Sequence, residues 1–290
     1  MCQTGSDREK LRILAIVAHP HDFTHCAGTC GIHVKLGDDV TVVTLMSGEK
    51  MHNEKYYSEM MKPASERDPA VVNMTAEEYG KIKENEFRQA VSVFGVEDIR
   101  ILHAPEPYRY FSAPEYSNII SDIILELRPD IIIMQSPYID GNLVGRNNMS
   151  SIMLDDHSQT AVAVHEAIYL AEAPDYATKK VPHIIASVLY LGIYFNRDQV
   201  DFYIDVTDFA EQRVAAESMF VSQGHNDDYA RRRIETTVGS LGYWSRTAYA
   251  EAYVRAKYEV YEEIPVPPVS IRRAREDRLA YVRRIEGKKE

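Results

Sequence analysis

Three residues have the types and placement to hold a metal ion. Ala18-His19-Pro20-His21-Asp22 sets an imidazole and a carboxylate three residues apart, just past a short apolar run. Neutral imidazole and carboxylate together suit Zn²⁺, with another divalent ion such as Fe²⁺ as an alternative. A third ligand must come from elsewhere in the chain. Asp155-Asp156-His157, at the start of a helical pattern, is the natural source. Three protein ligands leave a fourth position for water, the arrangement of a catalytic rather than a structural site. Spacing alone is a weak basis, because His-x-x-Asp pairs arise often by chance.

The elements that must position these residues follow from periodicity. Arg12–Ala18 is a β-branched apolar run between a charged flank and His-Pro, which predicts a buried strand. Asp22–Leu36 has small and apolar residues at helical spacing, with Asp22 as a cap, and Val40–Leu45 is a second buried strand. Strand, helix and strand in that order make a right-handed βαβ unit. The pattern continues with a long polar loop containing a short helix over Ser47–Glu78, an amphipathic helix over Glu77–Gly95 and a strand at Ile99–Leu102. A helix at Tyr116–Leu127, a strand at Ile131–Met134, an irregular stretch over Tyr138–Asp155 and a helix at Asp156–Ala171 come next. Ile184–Tyr194 and Phe202–Ile204 read as strands, Phe209–Gln223 and Ala248–Tyr258 as helices. Pro265-Val266-Pro267-Pro268 then breaks the pattern before a basic, polar helix.

The expected fold class is α/β, a Rossmann-like and mostly parallel sheet with helices on both faces. One domain over residues 1–262 is expected, with a Pro-rich linker and charged helical tail over 263–290. In such sheets ligands bind beyond the carboxyl ends of the strands. His19, Asp22, Ser47–Glu49, His103–Glu106 and Gln135–Pro137 all fall there.

Bulk composition narrows the classes. A net charge of −11 argues against nucleic acid or an anionic membrane as the main partner, and leaves a small-molecule substrate. Three cysteines, Cys2, Cys26 and Cys30, are too few for a disulfide framework and suit a reducing cytosol. The polar start, Met1 to Arg12, carries no apolar leader, and no apolar run is long enough to span a membrane. A cytoplasmic location is expected.

The run LAIVAHPHDFTHCAGT resembles the signature of the PIG-L/LmbE family, zinc-dependent N-acetylglucosaminyl deacetylases and their relatives, usually written AHPDDE. Further matches follow in order: Ser47-Gly48-Glu49, Lys83-x-x-Glu86, Phe94-Gly95-Val96, Leu102-His103-Ala104-Pro105-Glu106, Asp156-His157, Asp205-Val206-Thr207, Ser222-Gln223 and Tyr249-Ala250-Glu251-Ala252. The resemblance implies that His19, Asp22 and His157 are the zinc ligands, the set already chosen by placement. It also implies a homo-oligomer.

The catalytic shell departs from the pattern. His21 stands where the family has its Asp base, Phe23 where it has Glu, Leu154 where it has the His of an H-P-D-H motif, and Phe220 where a His often precedes Ser-Gln. Imidazole is a competent base near neutral pH, so His21 is a candidate catalytic residue. Glu49 is another, because a branch of the family, the 4-oxalomesaconate hydratases, shares Asp-Phe in the motif and uses the matching Glu as acid/base. Lys83, Glu106 and Arg146 are candidate substrate-binding residues. His25, His103, Asn147 and Asn148 are candidate replacements for the oxyanion donor missing at Leu154. The leading expectation is hydrolysis of an N-acyl, sugar-like small molecule. A hydratase or lyase and a non-catalytic metal-binding paralogue are the alternatives.

Overall fold

The computed structural model describes residues 8–51, 53–138 and 155–287. Its centre is a seven-stranded sheet of order β3-β2-β1-β4-β5-β7-β6. The strands are β1 (Arg12–Val17), β2 (Asp39–Thr44), β3 (Asp98–Ile101), β4 (Ile131–Met134), β5 (Ser187–Leu191), β6 (Phe202–Asp205) and β7 (Ala250–Arg255). Strands β1 to β5 pair in parallel, and β7 pairs antiparallel with both β5 and β6. Continuous apolar runs make the central strands, because a parallel sheet is covered on both faces and needs no polar side. Ile13 to Val17 and Ile132 to Met134 are accordingly buried throughout.

The chain moves outward from β1 to β2 and β3, then returns to the other side of β1 for β4 and β5. Right-handed crossovers therefore send the helices before and after that return to opposite faces. The first set is α1 (Ala27–Lys35), the short α2 (Glu54–Met60) and α3 (Pro69–Val72), and α4 (Ala76–Ser92). The second is α5 (Glu115–Leu127) and α6 (Asp156–Glu172), which pack on each other. Further on, α7 (Ala210–Ser218), α8 (Asp227–Thr236) and α9 (Val238–Ser245) follow one another, with α7 against α1 and α4. The reversal between β1 and β4 is a topological switch point, where such sheets open a crevice beyond the strand ends.

Three sequence expectations are corrected. Asp22–Leu36 is not one helix: a 3₁₀ turn over Pro20–His25 precedes α1, with Cys26 between them at φ −132°. Pro20 at the first position of the turn suits this entry, since it has no N–H to leave unpaired. Ala248–Tyr258 is not a helix but contains β7. Its small residues are needed there: a Cβ on Gly192 would lie 2.5 Å from the Ala252 carbonyl group, so two backbones meet at that point. The tail is two short helices, α10 (Pro268–Arg273) and α11 (Ala280–Ile285), rather than one. It lies back on the body, with Arg273 donating to Ser245 O at 3.2 Å and Ala280 buried.

Strand β7 also closes the first crossover. Glu251, fully buried, accepts the Gly28 and Thr29 amides at the start of α1, each at 2.8 Å. These are donors that a helix cannot satisfy internally. Arg213 from α7 lies 3.4 Å from the same carboxylate and is itself buried. Glu251→Ala leaves that guanidinium and both amides without their acceptor. The expected loss is about 3–5 kcal/mol, read as a lower urea midpoint in equilibrium unfolding. A variant as stable as the parent would show that Glu251 is not needed.

Candidate metal centre

The turn after β1 places His19 and Asp22, and the first turn of α6 places His157. Their donor atoms lie within 4.8 Å of one another. His19 Nδ1 is 3.5 Å from Asp22 Oδ2, and His157 Nε2 is 3.2 Å from the same oxygen. Each imidazole is backed on its other nitrogen by a carboxylate. Asp156 Oδ2 is 3.3 Å from His19 Nε2, and Asp155 Oδ1 is 3.4 Å from His157 Nδ1. This pairing fixes the ring orientation of a metal-binding histidine and raises its basicity. Asp156 is held in turn by Arg109, whose Nη1 donates to it at 2.7 Å. Asp155 also caps α6, accepting the His157 and Ser158 amides.

Asp22 is buried, and it is kept ionised by its neighbours. Its Oδ2 accepts the His19 backbone N–H at 2.9 Å and the Gln135 amide at 3.0 Å. Burial alone would raise its pKa, but His157 and His19 hold it well below the ordinary carboxylate range. Burial likewise opposes charge on His157, yet Asp22 and Asp155 carry it up to about 10. The pocket is therefore built to hold positive charge. Two imidazole nitrogens and a carboxylate, turned toward one point and stiffened from behind, fit a Zn²⁺-type ion, which would replace the protons.

The remaining predicted residues have other surroundings. His21 Nε2 is 2.7 Å from Glu217 Oε1 on α7. His25 is held neutral by burial, its pKa lowered to about 3, and its ring sits 6.4 Å from that of His21 and 6.2 Å from that of Tyr194. Lys83 on α4 is fully buried with its ammonium 5.9 Å from the Tyr79 ring centre and 5.8 Å from that of Phe220. Burial pushes its pKa down to about 8, against the pull of Glu86, Glu106 and Asp22. Glu49 is about one-third exposed and 3.5 Å from Lys50 Nζ.

Glu106, expected to face substrate, is instead a clamp for the loop after β2. Its two oxygens accept the Gly48, Glu49, Lys50 and Met51 amides, the last three at 3.1, 2.7 and 3.3 Å. Four donors leave a carboxylate little capacity for a ligand. Glu86 does similar work on the other side, accepting the Ser222 amide at 2.7 Å and its hydroxyl at 2.6 Å. His103 is exposed, 3.5 Å from Glu84, and so is no oxyanion donor in this arrangement. Arg146, Asn147, Asn148 and Leu154 lie outside the described residues.

Glu217 and His225 beside His21 have no sequence signal, because their contacts span the chain. Gln135 was within reach of sequence reading through its position just past β4.

Comparisons with known proteins agree with this architecture. GalB, the 4-carboxy-2-hydroxymuconate hydratase from Pseudomonas putida, is similar at a TM-score of 0.66 and 19% identity, covering 88% of this chain and 100% of that one. The N,N'-diacetylchitobiose deacetylase from Pyrococcus horikoshii is similar at 0.62 and 17%, covering 85% and 84%. A deacetylase of the teicoplanin biosynthetic pathway is similar at 0.53 and 15%, covering 86% and 100%. At these identities the likeness is one of fold. No curated protein matches the chain in sequence. The family model PIG-L, described as GlcNAc-PI de-N-acetylase, matches residues 14–168. That span is more than half of the 290 residues and contains His19, Asp22 and His157, so the chain belongs to the PIG-L family.

Proposed function

We propose that this protein is a metal-dependent hydrolase of the de-N-acetylase type, which removes an acyl group from the nitrogen of a sugar-like small molecule. The observation that carries the reading is the approach of His19 Nδ1 and His157 Nε2 to Asp22, each ring backed by its own carboxylate. Zn²⁺ is the ion that this donor set suits best, and when bound it supplies Lewis-acid polarisation and water activation.

The chain's own residues supply the proton transfers. Glu217 is ionised, since His21, His225 and Arg233 outweigh the effect of its burial. His21 Nε2 therefore donates to Glu217, and the neutral ring keeps its lone pair on Nδ1. That atom is the candidate acceptor for a proton from water. Lys83 Nζ is the candidate donor to the departing amine. With a pKa of about 8 it is mostly protonated at neutral pH, yet a far better acid than an ordinary lysine. His25, a neutral imidazole by its low pKa, can donate a hydrogen bond to a developing oxyanion.

A hydratase is the second reading, favoured by Phe23. This residue occupies the place of an acid in the family motif, and it is a core side chain packed 5.8 Å from Phe94 and 6.4 Å from Phe87. The fold likeness to a hydratase, GalB, accompanies it. Zinc-loaded protein should release acid from a panel of N-acyl sugars and simple amides. No acid release, together with loss of ultraviolet absorbance from an unsaturated keto-diacid that Glu49→Gln abolishes, would transfer the assignment to the hydratase.

Two further outcomes test the residue roles. Lys83→Met should lower kcat by about 10²-fold and remove the decline in activity above about pH 8. The sign follows from the proton being lost there; a variant that keeps the alkaline limb excludes Lys83 as the acid. Asp156→Asn should weaken Zn²⁺ binding about 10–100-fold in competition with a chelating dye, with the ligands themselves untouched. Unchanged affinity would remove Asp156 from the metal centre.

A further inference from the structure

A second group of imidazoles and carboxylate stands beside the first. His21 from the turn after β1, Glu217 from the last turn of α7 and His225 from the segment before α8 bring their donor atoms within 4.8 Å of one another. His21 Nε2 lies 2.7 Å and His225 Nδ1 3.2 Å from Glu217 Oε1. Aromatic neighbours fix both rings: His21 is edge-on to Phe220 at 4.9 Å, and His225 lies over Tyr229 at 4.4 Å. Arg233 Nε, 3.1 Å away, approaches the same Oε1.

The carboxylate is thus used on one side only. Glu217 is fully buried, and its Oε2 has no hydrogen-bond partner among the described residues. A buried acceptor left without a donor costs about 1–3 kcal/mol, and an ionised one costs more. Three approaches to Oε1 and none to Oε2 leave one lone-pair side of the cluster for a further positive group. Two imidazoles and one carboxylate are the same donor types as in the first site, and suit the same borderline divalent ions.

We propose that His21 Nε2, His225 Nδ1 and Glu217 form a second, weaker binding site for a divalent cation such as Zn²⁺ or Co²⁺. Arg233 makes it weaker, because its guanidinium already neutralises the carboxylate and repels a second cation. Its side chain is one-quarter exposed and can turn toward solvent when the ion enters. Occupancy ties α7 and the start of α8 to the turn that carries His19 and Asp22. It also places the metal on His21 Nε2 and the remaining ring proton on Nδ1. Where His21 is the base proposed above, a second equivalent therefore switches off proton acceptance. The binding itself does not depend on that role.

The test is a Co²⁺ titration of the chelator-stripped full chain, followed by visible absorbance and calorimetry, with no turnover assay. The wild type should bind two equivalents, the second at least about tenfold more weakly. His157→Ala should keep the weaker equivalent, and His225→Ala should keep the tighter one. Arg233→Gln should tighten the weaker equivalent about tenfold. A single equivalent in the wild type, or a second that survives His225→Ala, overturns the proposal. If His225→Ala does not fold, Arg233→Gln decides: tightening supports the site, and an unchanged titration overturns it. A chain that fails to deacylate but still binds two equivalents would refute the hydrolase reading and leave this one standing.

Discussion

The Asp22 carboxylate is the constraint on which the rest of the centre depends. It lies in the interior, where an unpaired charge is untenable. It is tolerated because donors arrive from three elements: the His19 amide after β1, the Gln135 side chain after β4, and His157 at the start of α6. Those elements are neighbours because the order in which strands are added reverses between β1 and β4. The topology thus creates a crevice, and one anion there draws in the groups that make it a candidate metal centre. Asp22 can be ligand and cross-link at once, since a carboxylate offers about four lone-pair sites.

The same device recurs around the rim. Glu106 holds the loop after β2, Glu86 holds the Ser222 turn, and Glu251 holds the start of α1, each by accepting backbone amides from a segment distant in sequence. Irregular backbone near a site has unsatisfied N–H groups that must find acceptors. Buried carboxylates meet that need and set the loops in one conformation. A charged-to-amide change at these positions would keep the shape but lose the strongest acceptor of those amides.

The sheet as far as β4, and the three candidate ligands that its strand ends bring together, were legible in the sequence, because continuous apolar runs bounded by Pro and Gly have few competing readings. β7 was not. Its Ala-Glu-Ala-Tyr segment is rich in helix formers, and only the pairing with β5 and β6 and the close approach of Gly192 make it a strand. Tertiary context overrode local propensity there. Glu106 follows a related rule: position past a strand end marks the crevice but not which way a side chain is used, and here it is turned to backbone amides. Glu217 and His225 were invisible, because their contacts with His21 join residues about two hundred positions apart and follow no local period.

The aromatic side chains beside the crevice do more than fill space. Phe23 enters the core, and Phe220 forms one wall around the Lys83 ammonium. Neither ring carries a charge or a hydrogen-bonding group, and both are fully buried, so this part of the crevice is apolar. Burial in such surroundings brings Lys83 down to about 8 and His25 to about 3. Desolvation moves an amine toward the working range of an acid catalyst and keeps an imidazole neutral, the states that the proposed hydrolysis would use. The apolar rings and the shifted groups belong together: the same dry surroundings that bury Phe23 and Phe220 set the charge states of Lys83 and His25.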